Sequence, residues 1–254
     1  MPATYEVPAI RRATEIMRLL ALSLAPMTAT ELLQATGISR STLYLLLDSL
    51  EHRRWIERRG GGYIIGVQLF EIGSAYLRYD RLQQAFRDEA PAFVAKHNEV
   101  VQLAVLEGGD VVYIGREDAQ RPVRLVSDAG TRLPAHCCAL GKALLASLAD
   151  EQVLAVLPPK LEALTRHTIT QPAKLIEELK EVRRTGIARD REEVAAGLHC
   201  FSAYVGQTAA GRRVAVSSSV PVDRLTKQRE REIVVSVVQL AGRIGSRLRG
   251  AGSA

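Results

Sequence analysis

The chain has 254 residues, of which 47% are hydrophobic and 24% are charged. This length suits one large domain or two medium ones, and the hydrophobic content excludes a disordered chain. No apolar run approaches the ~18 residues of a membrane span, and no secretory signal opens the sequence. Three cysteines make no disulfide framework, so we expect a cytoplasmic protein without a membrane partner. The formal net charge of +6 hints at an anionic partner such as nucleic acid.

The N-terminal region begins with the apolar periodicity of two helices. The first is predicted over residues 10–25 and ends before Pro26. Thr28 and Glu31 have the spacing of a capping box, in which each side chain accepts a hydrogen bond from the other residue's backbone N–H. They open a second helix, and Gly37 stands where its C-terminus favours a left-handed residue.

A third helix is predicted over residues 39–53, with Ser39 as its cap. Its leucines recur with helical spacing and form one apolar stripe, made of Leu43, Leu46, Leu47 and Leu50. Residues 55–59 and 63–66 then predict two strands joined by a glycine triplet. Residues 67–78 return to a helical pattern.

This order of helix, turn, helix and hairpin is typical of a winged helix-turn-helix that binds DNA. Because the leucine stripe packs inward, Arg40, Tyr44 and Leu45 face outward, and the start of the third helix is expected in the major groove. Helix caps and wing arginines can meet phosphates. The candidate DNA-binding residues are Thr28, Thr30, Ser39, Arg40, Ser41, Thr42, Tyr44, Arg58 and Arg59. The alternative is a small helical fold that contacts another protein and carries a solvated arginine face.

The remaining sequence predicts an α+β domain around an antiparallel sheet, because its strands are joined mainly by short hairpins. Strands are predicted over residues 100–107, 111–116, 200–206 and 214–220, with another near Ile187. Helices are predicted over residues 82–96, 139–148, 173–184 and 226–248.

Several short segments together resemble the IclR family of bacterial transcriptional regulators. In the N-terminal region they are Thr-Ala-Thr-Glu-Leu at 28–32, Gly-Ile-Ser-Arg-Ser-Thr at 37–42 and Leu-Glu at 50–51. Later segments are Leu-Pro-Ala-His at 133–136, Gly-Lys-Ala at 141–143, His-Thr-Ile-Thr at 167–170 and the stretch 192–200. The resemblance implies a winged helix-turn-helix over residues 1–66, a linker helix over 67–80 and a GAF-like effector-binding domain over 81–254. It also implies a homodimer formed through the N-terminal region, paired into a homotetramer on DNA. We expect no enzyme activity and no cofactor, because the sequence shows no catalytic motif.

The resemblance further implies an effector pocket between the sheet and the helix that begins at Ala139. Its polar contacts would be Asp190, Cys200, Ser217, Ser219 and the backbone amides of Ala139 and Leu140, and its apolar wall would be Leu125, Leu133 and Leu198. Elementary chemistry supports part of this set. Free N–H groups at a helix start attract anions, and side chains two positions apart on a strand share one face.

Each polar residue of this set also has a structural explanation. The serines at 217–219 could form an exposed strand edge, Asp190 could make a surface ion pair with a neighbouring arginine, and Cys200 could be a small buried apolar residue. We expect Lys142 to pair with an acid outside the pocket.

The sequence therefore predicts a regulator that binds double-stranded operator DNA and senses a small organic acid, an aromatic or short aliphatic carboxylate, to control a catabolic operon. The alternative is a thiol-dependent redox sensor or a metal sensor that uses Cys137, Cys138, Cys200, His136 and His199. No metal-ligand spacing or catalytic triad motif supports that alternative. Residues 1–80 hold nine basic and eight acidic residues, so the order of the elements, rather than net charge, indicates DNA binding.

Overall fold

The structure is a computed structural model that describes residues 6–120 and 127–249. The chain forms two compact units, Met1–Tyr79 and Asp80–Ala254. Across the described residues, no helix combines the length and the apolar character needed to cross a membrane.

The N-terminal unit has the predicted order of helices and strands. Its elements are α1 (Pro8–Leu22), α2 (Ala29–Thr36), α3 (Arg40–His52), β1 (Ile56–Arg59), β2 (Gly62–Ile65) and α4 (Val67–Tyr79). The first helix starts earlier than predicted because Pro8 occupies its first turn, where proline fits a helix. The leucine stripe of α3 packs into a core with Ile16, Leu32 and Ile56.

The predicted caps of α2 and α3 are confirmed. Thr28 Oγ1 accepts a hydrogen bond from the Glu31 backbone N–H at 3.2 Å, and Glu31 Oε2 accepts one from the Thr28 N–H at 2.7 Å. Gly37 ends α2 with a φ of 63°, which favours glycine. Ser39 Oγ then accepts from the Thr42 N–H at 3.4 Å and opens α3. These contacts set where α2 begins and ends and where α3 begins.

The C-terminal unit is an α+β domain, as predicted. Its elements are α5 (Arg81–His97), β3 (Val100–Glu107), β4 (Asp110–Glu117), β5 (Arg132–Pro134), α6 (Ala139–Leu145), α7 (Asp150–Val156), α8 (Pro172–Thr185), β6 (Ala188–Arg191), β7 (Leu198–Gln207), β8 (Arg213–Pro221) and α9 (Lys227–Arg249). The sheet has the order β5-β4-β3-β8-β7-β6, and every neighbouring pair is antiparallel.

The two central strands, β3 and β8, are buried on both faces. One face packs against α5 and α9 through residues such as Val101, Leu103 and Val216. The opposite face packs against α6 and α8, where the small side chains of Ala104 and Ala215 let α6 approach closely. Because side chains alternate along a strand, this second face also carries Gln102, Ser217 and Ser219.

In the C-terminal unit, two elements were not predicted and one helix is shorter than expected. The strand β5 and the helix α7 were not predicted, because three and seven residues are too few to show a clear period. The helix predicted over 139–148 ends at Leu145. Beyond it, the N–H groups of Ser147 and Leu148 bond to carbonyls three residues back, which tightens the chain into turns.

Two fully buried serines on neighbouring strands give a matched test of hydrogen bonding in this sheet. Ser202 Oγ donates to the Val216 carbonyl at 3.0 Å, whereas Ser218 Oγ has no partner among the described residues. We expect Ser202→Ala to lower the free energy of unfolding by about 1 kcal/mol, and Ser218→Ala to leave it unchanged or raise it. Urea denaturation measures both. An equal loss in the two variants would contradict this explanation.

Candidate functional site

A cavity of about 30 Å³ lies on the α6 side of the sheet. Eight of the nine residues predicted for the effector pocket line it: Leu133, Ala139, Leu140, Asp190, Leu198, Cys200, Ser217 and Ser219. The ninth, Leu125, lies outside the described residues. The structure thus brings the eight together, and their role in binding an effector stays a prediction.

Six further residues that were not predicted for the pocket line the cavity: Gln102, Tyr113, Ser127, Cys138, Val194 and Ala195. Gln102 is the one that the sequence could have indicated, because it interrupts the apolar strand β3 and is 3% exposed. Its amide donates to the Ser127 carbonyl at 2.8 Å and to the Ser127 hydroxyl at 3.0 Å. The glutamine therefore holds the chain that follows the undescribed residues 121–126 against the cavity.

Ser217 and Ser219 lie on β8, in the middle of the sheet. Gln102 of β3 pairs with Ser217, and Cys200 of β7 pairs with Ser219. The Cys200 Sγ and Ser219 Oγ atoms are 3.1 Å apart. The alternative of an exposed strand edge is therefore wrong, since β8 has a strand on either side and both serines are 2% exposed.

The first turn of α6 forms the opposite wall of the cavity. Cys138 caps this helix, with its Sγ accepting from the Gly141 N–H at 3.3 Å. The N–H groups of Ala139 and Leu140 belong to the first turn, so they have no acceptor within the helix. A Cβ at Gly141 would lie 2.0 Å from the Ala135 carbonyl oxygen, and only glycine permits this close approach. The start of α6 is thereby packed tightly against the backbone that follows β5.

Asp190 is the carboxyl group of the cavity. It lies on β6, is 2% exposed, and accepts a hydrogen bond from the Glu193 N–H at 2.6 Å. Burial raises the pKa of Asp190 to about 7; the nearby Glu193 carboxylate adds to the rise, and the Glu193 N–H and Lys142 oppose it. The alternative of a surface ion pair is therefore wrong. Near neutral pH this group can accept a hydrogen bond as a carboxylate or donate one as an acid.

Lys142 pairs with acids outside the cavity, as expected. Its side chain is fully buried, and Nζ lies 2.5 Å from Glu193 Oε1 and 3.5 Å from Glu178 Oε1. The ammonium also donates to the Arg189 carbonyl at 2.9 Å. These three contacts match the three donors of an ammonium group, so Lys142 has no donor left for a ligand.

The cysteines lack the features of a reactive thiol or a metal site. Hydrogen bonding to Cys138 and burial raise the pKa of the Cys137 thiol, and burial raises that of Cys200, so both stay protonated near neutral pH. In the described part of the chain, no three His, Cys, Asp or Glu side chains are grouped to hold a metal ion. His136 is buried and bonds to the Glu162 carbonyl at 2.9 Å. The redox or metal sensor is therefore not supported.

The helix α3 presents an exposed face in the N-terminal unit. Arg40, Ser41, Tyr44, Leu45 and Asp48 are all exposed. The Arg40 guanidinium lies 5.8 Å from the centre of the Tyr44 ring, a cation–π contact that orients the arginine. Leu45 is 73% exposed. This face combines a cation, hydroxyl groups and an apolar side chain, the groups that read base edges in a major groove.

The other candidate DNA-binding residues lie at the helix caps and in the hairpin. The hydroxyls of Thr28, Ser39 and Thr42 already bond within the caps, whereas Thr30 is exposed at the start of α2. In the hairpin, Arg58 Nε donates to both carboxylate oxygens of Glu51 on α3, at 3.1 and 3.0 Å. That contact fastens the wing to the helix. Arg59 is exposed at the end of β1, beside the glycine turn.

The pKa of Asp190 gives a stability prediction. Its pKa is about 7 in the folded protein, above its ordinary value, so unfolding releases a proton between about pH 4 and pH 7. The free energy of unfolding should therefore fall as pH rises through this range, by at most about 1.4 kcal/mol for each pH unit. Asp190→Asn should remove this part of the slope.

Urea denaturation at pH 5 and pH 8 measures the effect, with Asp223→Asn as an exposed control in the same unit. A slope that is unchanged in Asp190→Asn would contradict the assignment.

Comparisons with known proteins agree with the fold. Residues 75–246 match the family model of the bacterial transcriptional regulator IclR C-terminal domain, and residues 9–60 match that of the IclR helix-turn-helix domain. The transcriptional repressor IclR of Escherichia coli strain K12 is 31% identical over 245 residues, which cover 94% of this chain and 89% of that protein.

Solved structures of the family have the same fold. The IclR protein of Thermotoga maritima is 25% identical, with a TM-score of 0.71 over 94% of this chain and 98% of that one. An IclR homologue from Microbacterium hydrocarbonoxydans, complexed with 4-hydroxybenzoate, is 22% identical, with a TM-score of 0.79 over 96% of this chain and 100% of that one. The chain belongs to the IclR family of DNA-binding transcriptional regulators, a family that is not enzymatic.

Proposed function

We propose that this regulator senses a small organic acid in the cavity between the sheet and α6, and thereby controls a catabolic operon. The observation that supports this proposal is the polar face of the two central strands. Ser217, Ser219 and Gln102 are each at most 3% exposed, yet they surround a cavity. Buried polar groups need partners. Gln102 bonds to Ser127 and Ser219 contacts Cys200, and a polar ligand in the cavity can add further hydrogen bonds to these groups.

The groups around the cavity suit a carboxylate. The N–H groups of Ala139 and Leu140 and the hydroxyls of Ser217 and Ser219 can all donate hydrogen bonds to its oxygens. Asp190 suits such an anion if it carries a proton, or if the acid has a hydroxyl that donates to it. An acid with a second polar group near its carboxylate would use both sides of the cavity.

The size of the cavity favours a short acid. A volume of about 30 Å³ is far below the roughly 300 Å³ of typical ligand pockets, so an aromatic ring requires the walls to move. An aromatic acid, 4-hydroxybenzoate, is the ligand of the Microbacterium homologue, and it supports the wider class of carboxylates.

Exposed apolar side chains support assembly through the N-terminal unit. Val7, Ile10 and Leu22 of the α1 region are 56%, 65% and 81% exposed, and Phe70 of α4 is 74% exposed. Apolar surface of this kind marks an interaction site. A homodimer formed here would present two α3 helices to operator half-sites about one helical turn apart, or a multiple of it. Two such dimers would make the homotetramer expected on DNA.

The serines of β8 give a test of the cavity. We expect Ser217→Ala combined with Ser219→Ala to abolish the stabilisation that an acid confers on the folded protein, while operator affinity stays unchanged. In the wild type, an acid at a hundred times its Kd should add about 2.7 kcal/mol of stability. A thermal-shift series with acetate, lactate, butyrate and benzoate measures this effect.

Ser218→Ala is the matched control, because Ser218 lies between the two serines and is buried on the other face of the strand. A normal response of the double variant to every acid would contradict the proposed cavity.

Arg40 gives a test of DNA reading by α3. If its guanidinium bonds to a guanine edge, Arg40→Ala should weaken operator binding by about 1–3 kcal/mol and leave binding to random DNA nearly unchanged. Arg59→Ala, in the wing, should weaken binding to both DNAs alike if it contacts a phosphate. Fluorescence anisotropy at fixed salt measures the four affinities. An equal loss on both DNAs for Arg40→Ala would assign it to the backbone.

A further inference from the structure

The segment of residues 192–197, between β6 and β7, closes one side of the cavity. Val194 and Ala195 line the cavity and are half-buried, and the next two residues are exposed. We call residues 192–197 the lid. A wall of this kind, with exposed residues directly after it, limits the size of the molecule that the cavity admits.

Glu193 fastens the lid in three directions. Its carboxylate contacts Lys142 Nζ at 2.5 Å, its N–H donates to Asp190 Oδ1 at 2.6 Å, and its carbonyl accepts from Thr168 Oγ1 at 2.7 Å. Lys142 belongs to α6, whose first turn is the opposite wall. One residue therefore connects the lid to both the acid group of the cavity and the helix across from it.

The contact between Lys142 and Glu193 does more than neutralise a buried charge. A buried ammonium requires an anionic partner, but Glu178 stands 3.5 Å from the same Nζ and can supply one. Glu193 Oε2, in contrast, has no hydrogen-bond partner among the described residues. Besides Lys142, the Glu193 carboxylate accepts a long hydrogen bond from the Arg191 N–H, at 3.4 Å. Its contact with Lys142 can therefore be released without leaving Lys142 unpaired.

We infer that Glu193, held by Lys142, determines which acids the cavity accepts, because it keeps the lid closed on a space that fits only short ones. This inference rests on the proposed function. A larger acid must use part of its binding energy to open the lid. Its apparent affinity therefore equals its affinity for the open form multiplied by the fraction of molecules that are open. Weakening the contact should therefore favour larger acids over shorter ones.

Glu193→Gln tests the inference, since it removes the charge but keeps the shape and both backbone contacts of residue 193. We expect the ratio of benzoate affinity to acetate affinity to rise by about tenfold. Glu192→Gln is the control: Glu192 lies in the same lid, and its carboxylate accepts from the Gly197 N–H at 2.7 Å rather than pairing with Lys142. Its ratio should stay at the wild-type value. Calorimetric titration measures each affinity.

A second measurement needs no ligand. Amide hydrogen exchange at residues 194–197 should be faster in Glu193→Gln than in the wild type. Exchange in β8 should be the same in both proteins. If Glu193→Gln perturbs the fold as a whole, exchange in β8 rises as well. In that case Glu193→Asp, which keeps the charge, is used in both measurements, and a smaller effect is expected from it.

The outcomes separate the two proposals. Equal weakening of both acids with an unchanged ratio, or unchanged exchange in the lid, would overturn the role of Glu193 and leave the contact with Lys142 a matter of stability alone. Absence of binding by any acid to the wild type would instead contradict the proposed acid-sensing function, and the exchange measurement would still decide whether Glu193 holds the lid.

Discussion

The C-terminal unit depends on one constraint, which is that polar side chains buried in the middle of its sheet must find partners. Ser217, Ser219 and Gln102 project from the two central strands toward α6, in a position where an ordinary domain would place apolar residues. Gly141 lets the start of α6 pack on the Ala135 backbone, and the first turn of this helix lines the same cavity as these groups. The sheet and the helix thus enclose a cavity that is polar on both walls.

The charges of this region are arranged so that the cavity itself contains a single carboxyl group among its described lining residues. The Lys142 ammonium contacts Glu193, Glu178 and the Arg189 carbonyl, so it lies outside the cavity. Burial raises the pKa of Asp190, so this carboxyl group can carry a proton beside the anionic ligand that we propose. A regulator of this construction responds only if its ligand favours one conformation over another, and the lid and α6 are joined by the contact between Glu193 and Lys142.

Much of this could be predicted from the sequence, for local reasons. The capping box at Thr28 and the leucine stripe of α3 involve neighbours in the chain, and the two-residue spacing of Ser217 and Ser219 places them on one face of any strand. The pairing of Lys142 with Glu193 spans 51 positions, and only the fold brings them together. A lone glutamine in an apolar strand marks Gln102 as unusual, but only the fold shows that its side chain lies on the face of the cavity.

The central claim is that an acid binds between the serines of β8 and the first turn of α6. A crystal structure with 3-bromopropionate tests it most directly, because the anomalous signal of bromine locates the ligand independently of the protein. The account predicts a bromine peak within the cavity, with the carboxylate bonded to Ser217 or Ser219 and to the N–H of Ala139 or Leu140. A peak elsewhere, with these four groups bonded to water, would contradict it.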